Sequence, residues 1–175
     1  MKIEIEGLTE GGKDFERVYA PEELPLEDEF ARLASRVSVS GRASRKRGEV
    51  EVRGRLDTSV ELPCDRCAAP AVFPVDVDFK AELGFADANA GLPEATELQD
   101  ADMDFSTVEG DAVDLDEIAR EQILLALPAR HLCGEGCKGL CVTCGANLNE
   151  RDCGCGHEEI DPRWSALAAL KNRDG

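Results

Sequence analysis

Six cysteines fall between Cys133 and Cys155, in a run that reads Cys-Gly-Glu-Gly-Cys-Lys-Gly-Leu-Cys-Val-Thr-Cys-Gly-Ala-Asn-Leu-Asn-Glu-Arg-Asp-Cys-Gly-Cys. The remaining two of the chain's 8 cysteines form a distant pair, Cys64-Asp-Arg-Cys67. Short loops that each present two thiolates are what a tetrahedral zinc ion requires, with sulfur ligands at about 2.3 Å. Zinc, as one or two ions, is therefore the expected cofactor. At 175 residues the chain can also bury a core of its own, so metal supplements the fold and need not supply all of it.

Cys141-Val-Thr-Cys144-Gly145 has the form of a metal-binding knuckle. The glycine after the second cysteine can take the positive φ that turns backbone N–H groups toward sulfur. Cys133 and Cys137 lie just upstream, separated by Gly134, Glu135 and Gly136, so the chain there can wrap an ion. Two partitions satisfy the count. In the first, Cys133, Cys137, Cys141 and Cys144 share one site, leaving Cys64, Cys67, Cys153 and Cys155 for a second. In the other, Cys141 and Cys144 join Cys153 and Cys155. The first is preferred, because a Cys-Gly-Cys spacing is cramped.

Cys64 and Cys67 also admit a redox reading. Reactive pairs of that kind sit where a strand meets a helix N-terminus, whose dipole lowers the thiol pKa. This pair lies between two strands, preceded by Pro63 and followed by Ala68-Ala-Pro70, so a hairpin knuckle is the better reading. His131 and His157 flank the cluster and are read as partly exposed polar residues. No Ser/His/Asp grouping, phosphate-binding glycine loop or HExxH motif occurs, and the acidic residues have no apolar pocket to raise a pKa. The chain is expected to be non-enzymatic, with no small-molecule substrate.

The formal net charge is −17, and its distribution separates possible partners. Between residues 76 and 121 stand 15 acids, including Asp100, Asp102, Asp104 and Asp111, against only Lys80 and Arg120. This stretch is the candidate surface for a basic protein. Between residues 31 and 60 the balance reverses. There Arg42, Arg45, Lys46 and Arg47 are the candidate nucleic-acid contacts, since so acidic a chain gains nothing from phosphate attraction elsewhere. No stretch is apolar for the length of a membrane span, and the start, Met1-Lys-Ile-Glu-Ile-Glu, cannot be a signal-peptide core. The expected compartment is the cytoplasm, where thiols stay reduced and metal binding is favoured over disulfides.

The expected fold is α+β: an antiparallel β meander with a buried helix and a zinc-bound C-terminal segment ending in a short helix. Lys2 to Glu6 reads as a strand, Pro21 to Pro25 as loop, and Leu26 to Leu33 as holding a turn of helix. Period-two alternation marks strands from Val37, through Val50 to Leu62, and from Val72 to Leu83. Gly41 to Gly48 reads as an exposed connection, or a charged strand end and turn. Residues 86–110 read as an acidic loop. A helix of about residues 114–127 is capped by Asp114 and stopped by Pro128, with Leu124 and Leu125 widening its apolar face. A last helix starts at Asp161-Pro162 and stripes Trp164, Leu167 and Ala168. The sheet, loop and helix would form a unit of residues 1–127, with residues 128–175 as the Cys-rich segment and final helix packed on it.

Several segments together resemble the YceD family, the large ribosomal RNA subunit accumulation proteins. They are Cys64-Asp-Arg-Cys67, the run from Val113 to Pro128, Cys137-Lys-Gly-Leu-Cys-Val-Thr-Cys-Gly-Ala-Asn-Leu-Asn149 and Asp161-Pro-Arg-Trp-Ser-Ala-Leu167, in an order that fits over roughly residues 35 to 172. The resemblance implies a bacterial or organellar protein of ribosome biogenesis that supports accumulation of large-subunit ribosomal RNA. Its partner would be the large-subunit precursor, reached through rRNA or a basic ribosomal protein. It implies no catalytic residues, and it makes zinc a structural device that holds a binding surface.

Overall fold

The computed structural model of the chain describes residues 1–46, 49–85, 105–108 and 110–155. Eight strands and one α-helix are present among them: β1 (Lys2–Glu4), β2 (Lys13–Tyr19), β3 (Arg32–Leu33), β4 (Val37–Lys46), β5 (Glu49–Pro63), β6 (Pro70–Phe85), β7 (Phe105–Val108), β8 (Ala112–Asp114) and α1 (Leu115–Ala126). The main sheet runs in the order β2-β4-β5-β6-β7, with β3 pairing the end of β5 beyond β4; β1 and β8 form a separate two-stranded ladder. All pairings are antiparallel except β6 with β7. The architecture is thus mostly antiparallel sheet with one helix.

Strict alternation on the long strands explains the core. On β4 and β5, Val37, Val39, Val50, Val52, Leu56 and Val60 turn inward and are buried, while their neighbours carry charge outward. Helix α1 closes that face with Leu115, Ile118, Ala119 and Ile123, at the helical spacing one stripe requires. Asp114 caps the helix as its sequence position predicts, its side chain accepting from the Asp116 N–H at 2.9 Å. The Tyr19 hydroxyl donates to Asp116 at 2.6 Å and ties β2 to the helix start.

The charged face is a lattice of ion pairs, across neighbouring strands and along β5. Arg42 grips Asp14 at 2.6 and 3.0 Å, Arg53 grips Glu51 at 2.7 and 2.8 Å, and Arg55 meets Asp76 at 2.7 Å. Exposed pairs of this kind contribute little stability, because solvent screens them. Their effect is on charge, since carboxylates stand among the arginines of the basic stretch.

Several local expectations are corrected. Leu26 to Leu33 contains no helical turn; a short 3-10 turn lies earlier, at Pro21–Glu23, and Arg32–Leu33 is strand. Of the two readings of Gly41 to Gly48, the strand end holds and the connection does not: Gly41 is the middle of β4, which runs on to Lys46. The acidic loop is interrupted by β7 at Phe105–Val108. The apolar face of α1 is narrower than its sequence suggests: Leu124 is partly exposed and Leu125 is 69% exposed. β2 has no clean alternation to announce it, with Phe15 and Tyr19 as its buried positions. The expected helix from Asp161, with Trp164, lies outside the described residues, as does His157.

Candidate metal centres

The β5–β6 hairpin ends at the pair Pro63–Pro70, and its tip is the Cys64–Cys67 knuckle. The Cys64 N–H donates to the Ala69 carbonyl and the Ala68 N–H to the Cys64 carbonyl, both at 2.8 Å. The second knuckle repeats this pattern: the Cys141 N–H donates to the Ala146 carbonyl and the Gly145 N–H to the Cys141 carbonyl, again at 2.8 Å. Both turns place the residue after the second cysteine at positive φ, 57° for Ala68 and 72° for Gly145. The glycine of the second knuckle is legible in the sequence. An alanine in the left-handed region is uncommon, and it hides the kinship of the two loops.

Each knuckle supplies half of a four-sulfur cluster. Cys64 and Cys67 are joined by Cys133 and Cys137, and Cys141 and Cys144 by Cys153 and Cys155, with all four sulfurs of each cluster within 4.8 Å of one another. The preferred partition, which put Cys133 and Cys137 with Cys141 and Cys144, is therefore not the grouping the fold builds. The other grouping weighed for Cys141, Cys144, Cys153 and Cys155 is the one found. The physical reason is the route of the chain after Pro128. The Asp65 N–H donates to the His131 carbonyl at 2.7 Å and the His131 N–H returns to the Asp65 carboxylate at 2.6 Å. These reciprocal bonds lay residues 131–137 against the hairpin tip. The Arg66 guanidinium then holds the Cys137 carbonyl at 2.8 Å, and the Leu140 N–H reaches the Arg66 carbonyl at 3.0 Å. Gly139, at φ 77°, turns the chain there, so that Cys141 starts a new site.

The donor sets fit a tetrahedral ion. Sulfurs at about 2.3 Å from a central zinc stand about 3.8 Å apart. Here Cys64 and Cys137 are separated by 3.8 Å and Cys67 and Cys133 by 3.6 Å, well beyond a disulfide bond. Hydrogen bonds prepare individual sulfurs as thiolates. The Asn149 amide donates to the Cys137 sulfur at 3.4 Å and the Thr143 N–H to the Cys141 sulfur at 3.4 Å. Backbone N–H groups, that of Cys133 first, bring the Cys64 thiol down to about 6. Those of Cys144 and then Thr143 do the same for Cys141, also to about 6. Crowding by neighbouring sulfurs acts the other way. Cys137 and then Cys67 push the Cys133 thiol up to about 12, and Cys144 and then Cys153 push Cys155 up to about 12. Four thiolates this close can coexist only around a cation.

A divalent ion entering either cluster must displace those protons, so its affinity should fall on acidification. Cys67 is raised along with Cys133, and Cys153 along with Cys155. With at least two protons displaced from each cluster near neutral pH, affinity should drop by at least roughly a hundredfold per pH unit, steepening below about 6 as Cys64 and Cys141 also protonate. Chelator competition between pH 8 and pH 6 measures this slope. A flat profile would exclude thiolate coordination.

The clusters differ in their surroundings. Cys64, Cys67 and Cys137 are buried and pack with Ala69 and Leu132, apart from the main core. The second cluster is more open, and its knuckle carries two exposed apolar tips, Leu140 and Val142, the latter 91% exposed. Burial also bears on the redox reading. A reactive cysteine must be reachable, but Cys64 and Cys67 are only 3% and 5% exposed. Among the other candidate contacts, Arg42 is held by Asp14 and Asp111 is exposed. Arg47, Asp100, Asp102 and Asp104 lie outside the described residues.

A mostly antiparallel sheet whose hairpin tip shares a tetrathiol cluster with a following Cys-rich segment defines a small β protein with two candidate metal centres. The family model described as large ribosomal RNA subunit accumulation protein YceD matches residues 52–171, a span that contains all eight cysteines, and the chain belongs to that family. It is 29% identical over 157 residues to the chloroplastic YCED homolog 1 of Arabidopsis thaliana, covering 78% of this chain and 49% of that protein. The Zea mays protein of the same name is 31% identical over 146 residues, covering 71% of this chain and 50% of that protein. The chain thus spans about half the length of these plant relatives. YlbN of Bacillus subtilis, 27% identical over 165 residues, aligns nearly end to end, with 92% of this chain and 89% of that protein covered. No solved structure matches the chain. Among the described residues no helix is long and apolar enough to cross a membrane.

Proposed function

We propose that this chain is a non-enzymatic factor of ribosome biogenesis that supports accumulation of large-subunit ribosomal RNA. In this reading zinc occupies both tetrathiolate clusters and holds a partner-binding surface. The observation that carries the proposal is the family match across residues 52–171, in which both halves of each cluster fall. The plant relatives carry the activity in their printed names, which supports extending it to this chain.

The first cluster would act as a staple between hairpin tip and C-terminal segment, and the second would stiffen the loop that presents Leu140 and Val142. Rigid apolar tips flanked by charge suit a protein surface. Of the two routes to the large-subunit precursor, a basic ribosomal protein is favoured over direct rRNA contact. The net charge of −17 repels phosphate, and Arg42 in the basic stretch is already engaged by a carboxylate. Thiolate coordination requires a reducing compartment, the cytoplasm in a bacterium.

The test is genetic. Cells lacking the gene should show less large-subunit than small-subunit ribosomal RNA. The parent chain should restore the ratio, and a chain carrying Cys64→Ser and Cys137→Ser should not. An unchanged RNA ratio on deletion would refute the proposal.

A further inference from the structure

The two clusters share one stretch of chain. Residues 138–140 leave the first cluster at Cys137 and enter the second at Cys141, and they lie against the first knuckle. There the Leu140 N–H donates to the Arg66 carbonyl at 3.0 Å, and a Cβ at Gly139 would stand 3.1 Å from that same oxygen. The loop between Cys144 and Cys153 of the second cluster holds the stretch from its other side. The Leu148 N–H donates to the Gly139 carbonyl at 2.9 Å, and Leu140 and Asn147 form an antiparallel bridge. One residue of that loop reaches a sulfur of the other cluster. Asn149 Oδ1 accepts from the Lys138 N–H at 2.8 Å, which leaves the amide nitrogen as the group donating to the Cys137 sulfur at 3.4 Å. The Asn147 side-chain oxygen aims that amide, accepting from the Asn149 N–H at 3.0 Å and from its side-chain nitrogen at 2.9 Å.

We propose that the two centres bind metal cooperatively, with Asn149 as the positioning residue that couples them, an inference that rests on the reading that both clusters hold zinc. An ion shared by Cys141, Cys144, Cys153 and Cys155 ties both ends of the loop that carries Asn149. The amide is then already in place on the Cys137 sulfur when the first cluster fills. A donor that orients a ligand from outside the ligand shell contributes about 10–100-fold in metal affinity. The entropy lost in ordering residues 138–150 is lost once, to whichever ion binds first, and the second ion meets a segment already in place. Coupling of this kind is reciprocal, so each ion raises the affinity for the other by the same factor. It does not depend on the ribosomal role proposed above.

The test strips the full-length protein of metal under reducing conditions and sets free zinc with a chelator buffer. Alkylation mapped by mass spectrometry reads each cluster separately, through Cys64 and Cys67 for the first and Cys141 and Cys144 for the second. Cys153→Ser with Cys155→Ser, which disables the second cluster, should raise the free zinc needed to protect Cys64 by about tenfold or more. Asn149→Asp keeps an oxygen for the Lys138 N–H but removes the donor to sulfur, and should do the same with both clusters' cysteines present. Adding it to the Cys153→Ser, Cys155→Ser chain should change little further, whereas a purely local role for Asn149 would make the two losses multiply. Cys64→Ser should weaken the second cluster by the factor that disabling the second weakens the first. Asn149 is exposed, so the fold survives its substitution, which circular dichroism checks. A first cluster indifferent to loss of the second would overturn the proposal, and so would losses that multiply. A parent chain in which zinc protects neither cluster would overturn the zinc reading along with it, an outcome distinct from two sites that fill independently.

Discussion

The Cys137→Ser chain should retain one metal ion where the parent holds two, and its newly reactive thiols should be Cys64, Cys67 and Cys133. Cys137 is buried, its sulfur stands 3.8 Å from that of Cys64, and it receives the Asn149 amide. A serine there cannot supply the thiolate. Removing a direct ligand should weaken the ion by more than about 100-fold, the upper range for supporting residues outside the ligand shell. The sheet should persist, because the apolar core of β4, β5 and α1 is separate from the small cluster of Cys64, Cys67 and Cys137. Residues 131–150 should therefore lose hydrogen-exchange protection while β4–β6 keep theirs. Alkylation mapped by mass spectrometry reads the partition directly. If Cys141 and Cys144 became reactive and Cys64 and Cys67 stayed protected, the four-sulfur groups would follow chain spacing, contrary to the fold.

The second large effect concerns a row that crosses four strands. Phe15, Gly41, Gly54 and Phe79 lie opposite one another in register on β2, β4, β5 and β6. A Cβ at Gly41 would come within 2.1 Å of the Arg53 carbonyl oxygen and 2.8 Å of the Phe15 ring, and one at Gly54 within 2.7 Å of the Phe79 ring. The two rings lean over the paired glycines and fill the space their missing side chains leave. Gly41→Val should therefore cost at least about 3 kcal/mol, since the nearest obstacle is backbone and cannot rotate away. For a chain of this size that lowers the melting temperature by roughly 6 °C or more. Gly7→Ala, whose Cβ would meet nothing within 4 Å, should leave it unchanged. Equal melting curves for Gly41→Val and the parent would mean that the row is not closed.

This row marks where the chain was hard to read. Glycine with arginines around it resembles a turn, and only the pairing with Phe15 on β2, 26 residues earlier, shows that Gly41 is the floor for an aromatic ring. The long strands from Val37, Val50 and Val72 were legible because one face is core and the other is charged. The start of α1 was legible because Asp114 stands one residue before its apolar stripe. The extent of that stripe was not, since Leu124 and Leu125 look like core in the sequence and yet stand exposed.

Metal-binding potential was legible in the cysteine spacing, and the family in the combined motifs. The grouping of sulfurs was not, because it is decided by contacts far apart in sequence. Asp65 and His131 exchange two hydrogen bonds, and that exchange carries Cys133 and Cys137 back to the hairpin tip. The signal available was the matching form of the two Cys-x-x-Cys loops, each of which supplies two ligands and needs a second pair. Ala68, standing where Gly145 stands in the other loop, obscured it.

The intact native mass of the parent chain, purified under reducing conditions without added metal, tests the two proposed tetrathiolate centres most directly. The predicted mass is that of one chain with two zinc ions and no disulfide. A metal-free chain, whether its cysteines alkylate freely or are joined in disulfides, would contradict it.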